Sequence, residues 1–299
     1  MTPRRPPSIP VPRFGPGRGG ATEDGFAMSK LRVDNLTGVS ETLLIPLHHR
    51  VEESRAESNV FTDLVAERFH DAIAYDWAKF QNGALQRLGI VARTEILDAQ
   101  VKAFIAGDPD ALIVNLGAGL DTRFHRLDNS EIEWIELDLP PVIAFRENLG
   151  EPANPRHTFL AASILDPDRW IPEVKKRVKS RVLFVAEGLF PYFTQAQHKE
   201  IFAELAGNFP GQDMLFHTSA PSVMQSFRPH SALAKAKMNA ELQWGLEEGA
   251  EVSRLHPRVR FLAEFPLLTG YEKMPLELRE QVTPDQFTRA AKIVHVRFD

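Results

Sequence analysis

No cysteine occurs among the 299 residues. That excludes disulfides, thiolate metal sites and a cysteine nucleophile, and no metal is expected. No apolar run approaches the length of a membrane span, so no membrane partner is expected. No internal repeat is visible. There is no excess of positive charge either: the net charge is −5, which argues against a nucleic-acid partner. The first 20 residues contain no acid, but six prolines, four arginines and four glycines. Such a stretch cannot bury a core, and residues 1–27 are expected to be a disordered tail. The tail lacks the apolar centre of a signal peptide, so a cytoplasmic location is expected. Met28 reads either as a start of the folded part or as an ordinary internal methionine. Residues 28–299 are read as one domain.

The chain is organised around residues 111–123, ALIVNLGAGLDTR. Ala111, Leu112, Ile113, Val114 and Leu116 form an apolar run with one polar interruption, Asn115. That fits a strand covered on both faces, as in a parallel sheet. Gly117 and Gly119 then allow a sharp turn and close approach to a ligand. Asp121 or Thr122 is placed to cap the helix that follows. Strand, G-x-G turn and helix together build the nucleotide crevice of an open α/β sheet.

Further elements follow from spacing. Apolar residues at Phe61, Leu64, Val65, Phe69, Ile73 and Trp77 predict a helix over 61–80. A second helix spans 90–105, with a stripe at Ile90, Leu97, Val101 and Phe104. Arg93 falls on that stripe. An inward cation needs an anionic partner: either a ligand carboxylate or, as spacing alone favours, a protein carboxylate. Residues 132–138, 157–162, 181–186, 213–218, 259–265 and 293–298 read as strands. Asp138 ends the second strand, nineteen residues beyond Gly119. That spacing suits an acid on ribose hydroxyls, and equally an N-cap for a helix near Pro140. Glu187 follows the most continuous apolar strand and so points into the ligand crevice. Thr194-x-x-Gln197 is a capping box, and Thr283-Pro284 opens a last helix. Residues 221–244 are expected to be largely helical, within a lid insertion of about 221–258.

A dinucleotide fingerprint requires a third glycine where this chain has Thr122, which weakens an NAD-dependent oxidoreductase. The order NLGAGLDTR, ELDLP, AEGLFPYF resembles the leucine carboxyl methyltransferase family of S-adenosylmethionine-dependent enzymes. GVSETLLIPLHHR and LQWGLEEGAEV are similar to its bacterial branch, the O-methyltransferases of polyketide biosynthesis. The resemblance implies an α/β class I methyltransferase fold: a seven-stranded, mostly parallel sheet, last strand antiparallel, with a helical N-terminal segment and a lid. It implies S-adenosylmethionine as cofactor. It also implies that Arg93 binds the methionyl carboxylate, that Gly117, Ala118 and Gly119 pack beneath the methionyl group, and that Asp138 binds ribose. Ser163 and Ile164 would flank the adenine, with Ser163 where the family often has Asp, and Glu187 would lie near the amino group. The chain departs from the resemblance at His48-His49, where related sequences often have a tyrosine and a small residue.

Methyl transfer is an in-line displacement that needs positioning and exclusion of water. A carboxylate acceptor is already ionised and needs no base, so no catalytic residue is required. A phenol or alcohol would want one, and His48, His49 and His217 are the candidates; a hydrogen-bonded histidine at a strand end is the favoured reading of His217. Tyr192, by motif position, and Arg228, by location, are candidate substrate contacts. Trp244 is a pocket or packing residue. The leading expectation is methylation of a small-molecule carboxylate. Methylation of a protein C-terminal carboxylate, of a phenol, and a non-catalytic nucleoside-binding module are the alternatives.

Overall fold

A computed structural model describes residues 30–57, 60–80, 83–227, 241–273, 276–280 and 282–299. The expected tail and Arg228 lie outside the described residues.

Seven strands form one sheet: β1 (Leu112–Leu116), β2 (Glu133–Asp138), β3 (His157–Ala161), β4 (Val182–Ala186), β5 (Asp213–Ser219), β6 (Val259–Pro266) and β7 (Ala291–Phe298). Their spatial order is β3-β2-β1-β4-β5-β7-β6. The pairings from β3 through β5 are parallel; β7 runs antiparallel to β5 and β6. The expected fold is therefore present. Alternation along the strands explains why their sequences read as continuous apolar runs. Leu112, Val114 and Leu116 of β1 and Val182, Phe184 and Ala186 of β4 pack into one core. Ile113, Leu183 and Val185 enter the core on the other face. Both faces are covered, so neither set of positions can be polar without a partner. The one polar exception in β1, Asn115, has partners: its amide donates to Asp121 Oδ2 at 3.0 Å and Glu136 Oε2 at 2.8 Å.

The N-terminal segment contributes α1 (Leu44–Ser54), α2 (Leu64–Ala72) and the long α3 (Ala84–Gly107). Leu44, Leu47, Val51, Phe69 and Ile90 form a third apolar cluster with Leu120 and Val142. This cluster docks the segment at the glycine turn. The predicted helix over 61–80 is shorter than expected. α2 ends at Ala72; Ile73–Ala74 pairs as a strand with Leu31–Arg32, and Trp77–Phe80 is a 3-10 turn. Tertiary pairing overrides a helical apolar spacing there. In 221–244, a short helix spans Pro221–Phe227, and residues 241–244 are irregular. No described helix is long and apolar enough to cross a membrane.

Candidate active site

The sheet's direction of winding reverses between β1 and β4, and a crevice opens there at the carboxyl ends of the strands. Open α/β sheets bind ligands at this kind of switch point. A cavity of about 830 Å³ occupies it, within the range of small-molecule sites. Arg93, Gly117, Ala118, Gly119 and Asp138 line it, and so do Ser163, Ile164, Glu187 and Tyr192. Residues far apart in sequence are thus gathered on one surface.

The turn after β1 holds Gly117 at φ +65° and Gly119 at φ +52°, a region side chains with a Cβ avoid. It is tied to β2. Asp138 Oδ2 accepts from the Gly119 N–H at 2.7 Å, and Oδ1 accepts from the Leu139 N–H at 2.7 Å. Leu139, not Asp138, is the N-cap of α5 (Pro140–Glu147). Burial pushes the Asp138 carboxyl up to about 6, against the two N–H groups. At the start of α4 (Arg123–Leu127) the Thr122 hydroxyl does not cap; it donates to Asp63 at 2.5 Å. Asp121 Oδ1 accepts from the Arg123 N–H instead, at 3.0 Å.

Glu187 accepts from Arg93 Nε at 2.8 Å and from Arg123 Nη2 at 2.5 Å. Burial alone would raise its carboxyl; the two guanidinium groups reverse that and hold it far below the usual range. Arg93 therefore has the protein partner that spacing favoured. Its terminal nitrogens have no acceptor among the described residues, although the side chain lines the cavity.

Two contributors were not singled out by sequence reasoning. Arg123, fully buried, also pairs with Asp98 at 2.7 Å and with Asp121. It ties α3, the glycine turn and the end of β4 together. Its signal was its place in DTR, two residues after an acid and at a helix start. Arg50 donates to Leu120 O at 2.7 Å and lines the cavity, while its buried Nε has no hydrogen-bond partner.

His217, on β5, also lines the cavity. It is not the hydrogen-bonded histidine that was favoured: its Nδ1 is buried without a partner. Burial, then Arg93, lowers its imidazole to about 3. His48 and His49 do not line the cavity. Trp244 is packing; its indole stacks on His198 with centroids 3.8 Å apart. Residues 241–246 run along the wall of the crevice. The Gln243 N–H donates to Pro191 O at 2.7 Å, and the Leu246 N–H donates to Ser219 O at 3.2 Å. Leu242 and Gln243 thereby join the cavity wall.

Residues 44–206 match the family model described as leucine carboxyl methyltransferase. The chain is 31% identical over 234 residues to the tetracenomycin polyketide synthesis O-methyltransferase TcmP of Streptomyces glaucescens, covering 78% of this chain and 84% of that protein. It is 24% identical over 266 residues to the S-adenosyl-L-methionine-dependent methyltransferase dpfgK of Gibberella zeae, covering 84% and 89%. Among solved structures, a proposed methyltransferase of Thermobifida fusca superimposes with a TM-score of 0.57 at 12% identity, over 89% of this chain and 96% of that one. That likeness supports the fold alone.

Proposed function

The chain belongs to the leucine carboxyl methyltransferase family and is an S-adenosylmethionine-dependent methyltransferase; from that premise we propose that its acceptor is the carboxylate of a small-molecule acid of the polyketide or other secondary-metabolite type. The cavity residues fit the cofactor. Arg93 presents terminal nitrogens without an acceptor among the described residues, as a ligand carboxylate requires. Asp138 keeps lone pairs beyond those used by Gly119 and Leu139, as ribose hydroxyls require. In this reading Gly117, Ala118 and Gly119 pack beneath the methionyl part, Ser163 and Ile164 flank the adenine, and Glu187 faces the amino group. Bound there, the cofactor supplies an electrophilic methyl group.

The chain's own contribution is positioning. Orienting two bound reactants is worth roughly 7–11 kcal/mol in the best cases. Residues 241–246, along the crevice wall, would exclude water, with Tyr192 beside them as an acceptor contact. In this reading they are part of the lid expected for 221–258.

The observation that carries the acceptor class is His217. It is the one imidazole lining the cavity among the described residues, and burial leaves it a very weak base. A phenol or alcohol would need a group to take its proton, and this imidazole is poorly suited to that; a carboxylate acceptor needs none. The name of the Streptomyces relative supports a polyketide-type substrate. The test is a panel of carboxylic acids and phenols with isotope-labelled methyl donor. A product hydrolysed by mild base is expected, because methyl esters are labile. Base-stable aryl ethers alone would overturn the reading.

A further inference from the structure

A second cluster of chemically able side chains lies on α1, outside the cavity. His49 Nδ1 lies 2.7 Å from Glu52 Oε2, and His48 Nε2 lies 3.7 Å from Glu52 Oε1. One nitrogen of each histidine and one Glu52 oxygen fall within 4.8 Å of one another. His48 Nε2 is buried and has no hydrogen-bond partner, on a residue only 8% exposed. Leaving a buried polar atom unpaired is costly, and nothing in methyl transfer uses this one.

We propose that His48, His49 and Glu52 form a binding site for a divalent transition-metal ion of the zinc type. Zinc takes imidazole nitrogen and carboxylate oxygen at about 2.0–2.2 Å, so neighbouring tetrahedral donors stand roughly 3.3–3.5 Å apart. The histidine nitrogens stand 2.7 and 3.7 Å from the two Glu52 oxygens, one each, and one ligand atom of each residue lies within 4.8 Å of the others, so side-chain adjustment would draw them to that spacing. Two imidazoles and one carboxylate, with a fourth position for water, is a donor set suited to zinc, cobalt or nickel. The side chain of Glu52 is about a third exposed, which gives water a route in. Its carboxylate has no other cation partner among the described residues. The nearby guanidinium groups are engaged elsewhere: Arg87 with Glu53, and Arg55 with Glu67 and Asp71. His48 also has the outer support that metal-bound imidazoles have. Its Nδ1 lies 3.2 Å from His70 Nε2, and the His70 ring stacks on Trp77 at 3.9 Å. The other comparable trio, His125, Glu151 and His157, already holds a cation, because Arg146 pairs with Glu151 at 3.1 Å.

The test uses the full, tag-free chain stripped with a chelator. Zinc chloride is titrated by calorimetry, and cobalt chloride is followed by visible absorption. One equivalent of zinc should bind, and cobalt should give the d–d bands of an imidazole-ligated, four-coordinate ion. Glu52→Gln keeps volume and should weaken binding at least tenfold. His48→Phe keeps the ring stack and should abolish the cobalt bands, with S-adenosylhomocysteine affinity unchanged as the control for folding. If His48→Phe does not fold, Glu52→Gln decides. Absence of binding in the unmodified chain would overturn the proposal. So would equal affinity and spectrum in the variants, which would put the ion at another site.

Discussion

Arg93 and Glu187 are joined at 2.8 Å although 94 residues separate them in sequence. The bond ties α3 to the end of β4 across the crevice. It uses Nε of Arg93 and leaves the terminal nitrogens to the cavity. Structural pairing and ligand binding, alternatives in sequence, are compatible in space. Glu187 orients the guanidinium, and its ionised carboxylate offsets the cost of burying that charge.

With Asp138 on the ribose, as proposed, cofactor binding should depend on pH. In the ligand-free chain burial raises its carboxyl from 3.8 to about 6. Ionising it therefore costs stability as pH rises through that window. Ribose hydroxyl donors favour the ionised form, so binding below about pH 6 should release a proton. The affinity for S-adenosylhomocysteine should fall by about tenfold per pH unit below that point and level off above it. Calorimetry in buffers of different ionisation heat measures the released proton. Asp138→Asn should abolish the slope; a slope that persists would assign the titration to another group.

Glu151 sets part of the acid limit of stability. Burial would raise its carboxyl, but a hydrogen bond with His125 at 3.2 Å and the pair with Arg146 at 3.1 Å hold it at about 2. With its folded value below the ordinary 4.5, this contribution is complete above about pH 4.5 and is lost as pH falls toward about 2. Glu151→Gln should cost on the order of 2–3 kcal/mol near neutral pH. Denaturant unfolding across the acid range should show a shallower pH dependence in the variant. An unchanged dependence would show that other carboxylates set the limit.

Gly245 seats the segment along the crevice wall. A Cβ there would lie 2.0 Å from the carbonyl oxygen of Ser219, a backbone atom that cannot swing away. Gly245→Ala should displace residues 241–246. Once an acceptor is in hand, its KM should rise several-fold while S-adenosylhomocysteine affinity stays unchanged. An unaltered KM would remove this segment from the acceptor site.

The central strands β1 and β4 were legible because each is buried on both faces, which forces apolar residues at nearly every position. The glycine turn and the acids at the ends of β2 and β4 were legible because backbone geometry ties them to strand ends. The buried ion-pair network was not. Arg123, Asp98 and Asn115 lie on separate elements, and no local period encodes their meeting. Residues 61–80 misled for a related reason: Ile73 and Trp77 keep helical spacing, yet strand pairing and an aromatic stack hold them. His217 could be placed at a strand end from sequence, but only the packed cavity shows that its Nδ1 lacks a partner.

The most direct test of the account is calorimetric titration of S-adenosylhomocysteine into the unmodified chain and into Arg93→Ala. The unmodified chain should bind one equivalent. The variant should lose about 1.5–3 kcal/mol, roughly a ten- to hundred-fold weaker affinity, because a charge-assisted contact to the ligand carboxylate is gone. Equal affinity, in a variant whose thermal unfolding shows it to be folded, would contradict the assignment and leave Arg93 only its pairing with Glu187.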